Sequence, residues 1–394
     1  MDFFKKNQPI FFILLPFALS LLVALVVVVV QPEGPKAINT QSSDGQAVEP
    51  RTTQKPQLKT ETVAEGLSNV WDVAQAPDKT LYYSERANKI GAIIDGKPVT
   101  IHEAKDAYVK GEGGMLGMTL DPEFASNRYL YACFNTATDV RVARYKVAPD
   151  NRSLTDRSDI VTGMPANSSG RHSGCRPRFD ANRSLWIGTG DTARSEHPQN
   201  PKSLGGKVLR VDREGRGVQG NMGAPFDKRV YSYGHRNVQG LAFYKQSING
   251  VLGYSVEHGP DRDDELNTLS TGNFGWDPGP NYDESVDMTD LKKFPEAVPA
   301  VWSSGKSTIA PSGATILEGK QWKSWEGRLM MAVQKDKHVR LFQFDDSAKK
   351  VSDEEKILAE FGRVRSVVLG VDGFVYLTTD NGNNQDKIVK VIPQ

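Results

Sequence analysis

The hexapeptide Arg171-His172-Ser173-Gly174-Cys175-Arg176 sets an imidazole just ahead of an apolar strand, where a side chain titrating near neutral pH could accept a proton. A lone histidine is more often structural. Asp191, at the end of the following strand, supplies a carboxylate that could orient the ring. Tyr233-Gly-His-Arg236-Asn237-Val-Gln239-Gly240 places a guanidinium fork and amide side chains between glycines, a donor set suited to a planar anion. Arg363 and Arg365 alternate along a strand and Lys335 adds an ammonium, so cations from separate segments could together hold a polycarboxylate. Taken singly, each of these groups reads equally as a solvated surface charge.

Glu257-His258-Gly259-Pro260-Asp261-Arg262-Asp263-Asp264-Glu265 concentrates carboxylates after a Gly-Pro pair. Hard oxygen donors from side chain and backbone suit Ca2+, although the spacing of an EF-hand loop is missing and a solvated acidic turn would look the same. Ala300-Val-Trp-Ser-Ser-Gly305-Lys306-Ser307 matches a loose phosphate-loop pattern. Pro299 and Ala310-Pro311 deny it the flanking strand and helix that aim backbone N–H groups at a phosphate, so nucleotide binding is not expected. The absence of a nucleophile elbow, a His-Glu-x-x-His pair and a helix-opening Gly-x-Gly-x-x-Gly weakens hydrolase, zinc-protease and nicotinamide readings.

These groups need elements to hold them. Six apolar strands, at 80–84, 129–134, 184–188, 251–255, 328–332 and 374–378, are each followed by a partner of alternating pattern. The partners fall at 89–94, 140–145, 207–211, 265–269, 338–344 and 387–392. No long window carries a 3.6-residue apolar stripe, which argues against strand-helix-strand units. One hairpin cannot bury its own face, so six in series predict an all-β, six-bladed propeller, with a β-sandwich or two β-domains as the alternative. Polar residues recur just after the first strand of each pair: Glu85 and Arg86, Asn135, Asp191, Glu257 and His258, Lys335, Asp380. They predict a lined funnel at one end of a central channel.

With 49 basic and 48 acidic residues among 394, the chain has a formal charge of +1, and no nucleic-acid partner is expected. Lys5 and Lys6 precede an uncharged stretch from Ile10 to Val30, which as a helix would span roughly 30 Å, the thickness of a hydrocarbon core. Residues 1–30 therefore read as an uncleaved signal anchor, with a removed signal peptide as the alternative, and the rest as periplasmic or extracellular. Residues 31–60 are rich in Pro, Ser, Thr and Gln and read as a flexible tether, leaving 61–394 as the folded domain. The two cysteines, Cys133 and Cys175, exclude a disulfide framework and a four-cysteine metal site. They could form one disulfide or remain two buried thiols.

Taken jointly, the motifs carry a resemblance. His172-x-Gly-x-Arg176, Thr189-Gly-Asp191, the Tyr233 to Gly240 run, Glu257-His-Gly-Pro-x-x-Asp-Asp-Glu-x-Asn267 and Asn273-Phe-Gly-Trp276 are similar to those of the soluble quinoprotein glucose dehydrogenase and glucose/sorbosone dehydrogenase family. So are Gly111-Glu-Gly-Gly-Met-Leu-Gly117 followed by Asp121-Pro-Glu-Phe124, and Ala310-Pro-Ser-Gly313, in order from about Gly66 to Ile392.

The resemblance implies a six-bladed propeller with pyrroloquinoline quinone lying over the channel, its carboxylates held by basic side chains. It implies that His172 takes the proton from the C1 hydroxyl of an aldose as hydride passes to the quinone, with Asp191 holding the imidazole. Arg236, Asn237, Lys335, Arg363 and Arg365 would grip the cofactor, and Glu112, Asp264 and Thr308 would complete its pocket. The carbonyls of Gly259 and Pro260 would ligate Ca2+, and Glu265 a second calcium. An external electron acceptor would reoxidise the cofactor. Arg171 stands where the best-known glucose oxidisers have Asp, Ser303 and Lys306 where they have aromatic groups, and Glu196 where they have Gln. A sugar other than glucose is expected, and a tethered propeller that binds carbohydrate or a protein partner without redox chemistry is the alternative.

Overall fold

The computed structural model describes residues 52–394; the expected anchor and most of the tether lie outside them. No helix among the described residues is long and apolar enough to cross a membrane.

Six sheets succeed one another along the chain as the blades of a propeller. Blade one runs from Val70 to Glu103, blade two from Met115 to Met164, and blade three from Gly174 to Tyr233 with Gly272–Asn273 added in parallel. Blade four joins Val238–Thr268 to Trp302–Ser303, and blade five runs from Pro311 to Ile357. Blade six is shared between the two ends of the described chain: Val364–Leu369, Val375–Thr379 and Asp386–Pro393 are completed by Leu58–Leu67. That outer strand pairs antiparallel with the last one, Leu58 opposite Pro393 and Leu67 opposite Asp386, and closes the ring. Leu58–Leu67 thus reaches back into the expected tether, and it covers the edge of the last strand.

The strand pairs read from alternation are the second and third strands of every blade. The inner strands are buried at both faces, as in Met115–Leu120 and Gly174–Phe179, so their sequence does not alternate. Each inner strand also slips register near its start, between Val70 and Asp72, Met115 and Met118, Gly174 and Arg176, Val238 and Gly240, Pro311 and Ala314, and Val364 and Ser366. A bulge of this kind re-aims the side chains that precede it. Here the segments it re-aims are those entering the channel.

Arg176 fills the centre of the ring. Its Nε donates to Gln239 O (2.6 Å), Nη1 to Trp71 O (3.2 Å) and Ser366 Oγ (3.3 Å), and Nη2 to Ser312 Oγ (3.3 Å) and Arg365 O (3.4 Å). Asp72 lies 2.9 Å away as its counterion, shared with Arg178 at 2.8 Å. Burial alone would raise the Asp72 carboxyl, but the two guanidinium groups pull it down to about 2. Blade two approaches through Gly117, where a Cβ would come within 2.7 Å of Arg176 Cα. One buried residue therefore reaches or abuts every other blade.

Between blades the packing is apolar, as where Trp186 of blade three, set edge-on against Tyr231 of its own blade at 4.5 Å, meets Phe243 of blade four at 5.3 Å. A disulfide joins Cys133 in the second strand of blade two to Cys175 in the inner strand of blade three, with Cα atoms 6.0 Å apart.

Candidate active site

The turn that enters blade three is built from left-handed backbone: φ is 75° at Gly170, 52° at His172, 58° at Gly174 and 61° at Cys175. At Gly170 only glycine fits, since a Cβ would lie 1.6 Å from Lys110 O. The turn leaves His172 just 6% exposed and sets its Nδ1 2.7 Å from Asp191 Oδ1.

Asp191 is fully buried at the end of the second strand of blade three, and donors surround its carboxylate. Oδ1 accepts from Ala193 N (2.8 Å) besides the imidazole, while Oδ2 accepts from Trp276 Nε1 (2.8 Å) and Tyr282 Oη (2.7 Å). Burial pushes the acid up, but the hydrogen bond and charge of His172, with Arg236 and Tyr282, hold it below the usual carboxylate range. An ionised Asp191 fixes the imidazole with its proton on Nδ1, which leaves the Nε2 lone pair free.

Glu112 is a second organising carboxylate. Its Oε1 accepts from Gly174 N (3.0 Å) and Gln239 Nε2 (2.7 Å), and its Oε2 from Asn237 Nδ2 (3.0 Å). It thereby ties the histidine turn to the Arg236–Gly240 segment. Glu112 also lines a cavity of about 470 Å³ together with Trp71, Arg86, His258, Arg363 and Arg365. Arg365 stacks 3.9 Å above the Trp71 ring centroid and pairs with Asp380, whose backbone oxygen takes Arg363 Nε at 3.0 Å. Three guanidinium groups thus face one opening, with Glu112 and Asp380 as the carboxylates set against them.

The other expected residues are distributed less simply. Asn237 belongs to the Glu112 network. Arg236 pairs with Glu284 and lies 5.6 Å over the Trp276 ring, while its buried Nε has no hydrogen-bond partner among the described residues. Lys335 donates to Thr308 Oγ1 (2.9 Å), and neither borders the cavity. Asp264 does not face it either. Its oxygens accept from Gly259 N (2.9 Å) and from Ile309 N and Ala310 N (2.5 and 2.9 Å), stapling the Gly259–Pro260 turn to the entry of blade five. Glu265 is buried beside Glu257 and bonded by Thr289 Oγ1 (3.0 Å); burial and the Glu257 charge raise its carboxyl. Among the described residues no group of three or more His, Cys, Asp or Glu side chains is placed to hold a metal ion.

Two contributors lie where sequence pattern is silent. Tyr282 and Glu284 belong to the stretch between Asn273 and Trp302, which contains no helix or strand and hence no periodicity. Tyr282 Oη is 3.1 Å from His172 Nδ1 in addition to its bond to Asp191, and Glu284 bridges Arg236 to Arg171 (2.8 Å). Trp71 and Arg86 are also new to the cavity wall. Arg86 carried a signal, as a polar residue following an apolar strand.

The model of the family described as Glucose / Sorbosone dehydrogenase matches residues 67–390. The aldose sugar dehydrogenase of Escherichia coli is 27% identical over 367 residues, covering 86% of this chain and 93% of that protein. Quinoprotein glucose dehydrogenase B of Acinetobacter calcoaceticus is 26% identical over 406 residues, covering 79% and 83%. Among solved structures, the PQQ-bound aldose sugar dehydrogenase of Streptomyces coelicolor superposes with a TM-score of 0.73 at 28% identity, over 86% of this chain and 100% of that one.

Proposed function

The chain belongs to the glucose/sorbosone dehydrogenase family, and from that premise we propose that it oxidises the C1 hydroxyl of an aldose with pyrroloquinoline quinone as hydride acceptor and His172 as general base. The observation that carries this reading is the buried His172–Asp191 pair, whose turn is tied through Glu112 to a guanidinium-lined cavity.

The cavity suits a flat polyanion. Arg86, Arg363 and Arg365 border it and Trp71 offers an aromatic wall; outside that wall, the orphaned Nε of Arg236 is a further buried donor lacking an acceptor. Arg363 and Arg365 would hold carboxylates of the cofactor, and Arg236, Asn237, Lys335 and Thr308, which do not border this cavity, would add to the grip from neighbouring segments. The carbonyls of Gly259 and Pro260, on the turn that Asp264 staples, would offer hard oxygens to a Ca2+ ion, and Glu265 is the remaining candidate ligand for a second one. When bound, the quinone supplies the two-electron acceptor that this chain's side chains cannot provide.

The chain's own part is proton chemistry. His172 Nε2 accepts the hydroxyl proton of the sugar, and the resulting imidazolium is neutralised by Asp191 with no need for solvent to reorganise. Trp276, Tyr282 and Ala193 keep that carboxylate ionised and aimed, so the imidazole enters the step in one tautomer. Arg171, paired with Glu284 next to the base, makes the substrate side more polar and supports an aldose other than glucose.

Residues 10–30 would anchor the domain to a membrane with the propeller on the periplasmic or extracellular side, where an external acceptor reoxidises the cofactor. The decisive experiment mixes the protein with Ca2+ and pyrroloquinoline quinone and follows dye reduction over a panel of aldoses. Sugar-dependent reduction is expected; saturation binding that detects no quinone uptake would sink the reading.

A further inference from the structure

The ring of His172 is held by Asp191 and Tyr282, but its backbone depends on a turn that L-residues rarely adopt. His172 and Cys175 are the non-glycine residues of that turn with φ of 52° and 61°, a region that crowds a Cβ against the backbone. Such strain persists only where surrounding contacts over-determine it.

Besides the bond from Gly174 N to Glu112, two contacts come from one strand of blade two. Cys133 and Asn135, two residues apart and so on the same face of that strand, both reach the turn. Asn135 Nδ2 donates to Ser173 Oγ (3.0 Å), whose hydroxyl in turn donates to Gly170 O (3.0 Å), while Cys133 is bonded to Cys175. Both sulfur-bearing residues are fully buried, so the link is out of reach of solvent. It lies three residues after the histidine and one before Arg176, the side chain that fills the channel.

We propose that the Cys133–Cys175 disulfide is a positioning device for His172, a covalent tie that keeps the entry turn left-handed and thereby keeps the imidazole in register with Asp191. The proposal rests on His172 as the base. It assigns the cysteines a role in proton transfer beyond the stability that any cross-link supplies.

Glycine gives the test its discrimination, because it adopts the φ of Cys175 without strain. Cys133→Ala with Cys175→Ala removes the tie and leaves a side chain that resists the turn. Cys133→Ala with Cys175→Gly removes the tie but tolerates it. The first pair should lower kcat by roughly tenfold to a hundredfold, as small misplacements of a catalytic group do, with quinone affinity unchanged. Its 15N imidazole spectrum should show His172 losing the single Nδ1–H tautomer. The second pair should recover both the rate and the spectrum although its melting temperature remains low.

Wild-type rate and spectrum in the alanine pair would overturn the proposal, and so would equal losses in the two pairs. Should the alanine pair fold poorly, Cys133→Val refills the core and carries the same comparison. If even the wild type oxidises no aldose, the dehydrogenase reading falls, while the imidazole spectra of the two pairs still decide whether the disulfide holds His172.

Discussion

Tyr282 donates its phenolic hydrogen to Asp191 Oδ2 at 2.7 Å, on the carboxylate oxygen opposite the one that His172 uses. A residue from an irregular stretch thus completes the pair formed by a turn and a strand end. Replacing it by Phe removes a hydrogen bond to a charged group while keeping the ring, at a cost of about 1.5–3 kcal/mol of stability. Tyr282→Phe should lower kcat a few-fold with little change in quinone affinity; steady-state kinetics at saturating cofactor will show it, and an unchanged kcat would reduce Tyr282 to a spectator.

His172→Ala should abolish most turnover, by about a hundredfold or more, because a general base is worth on the order of 10²–10⁴ in rate. Quinone binding should survive, since the cationic wall is untouched. Equilibrium titration alongside dye reduction separates the two, and wild-type turnover would mean that another residue takes the proton.

The double change Arg363→Ala with Arg365→Ala should weaken quinone affinity by about tenfold or more, the loss expected when charge-assisted hydrogen bonds are removed. Its melting curve serves as control because Arg365 is also the partner of buried Asp380. An unaltered dissociation constant would contradict the assignment of the cavity.

Glu284→Gln should act in the opposite sense. Glu284 neutralises Arg236 and Arg171 in the protein alone, and a cofactor carboxylate has to compete with it. The amide should tighten quinone binding about two- to fivefold, as for the loss of a partly exposed ion pair, and the gain should shrink as salt is added. Weaker binding would show that Glu284 organises the site and does not compete for it.

Asp72 allows a test of pH dependence. Its folded value is depressed to about 2 from an ordinary one near 3.9, so the stability it contributes is complete above about pH 4 and is lost as pH falls toward 2. Asp72→Asn should cost about 3–5 kcal/mol at pH 7, because Arg176 is left buried without its counterion. Denaturant melts of both proteins at pH 7 and pH 3 should show the gap narrowing in acid.

The sequence made the blades legible where strands are half exposed. Tyr129–Asn135 and Val140–Val147 were visible through alternation, whereas inner strands such as Met115–Leu120 were hidden because both their faces are buried. His172 and Asp191 were readable because a turn and a neighbouring strand end must meet at a channel mouth. The three backbone N–H groups that Asp264 accepts from could not be read from its motif, because two of them belong to residues 45 and 46 positions away. Arg176 gave no hint of its position, since nothing local distinguishes an arginine that plugs a ring from one in water. The cysteines fitted a disulfide and two thiols equally, and only the approach of blades two and three decides between them.

Blade six draws its outer strand from Leu58–Leu67, so the earliest described segment to be synthesised waits for the latest. Until Asp386–Pro393 emerges, Leu58–Leu67 is a strand without a sheet. A copy trimmed of it would present an open edge to the same segment of any neighbour, and intact copies could exchange these strands before each ring locks. Closing the ring therefore requires the first and last described strands of one chain to find each other.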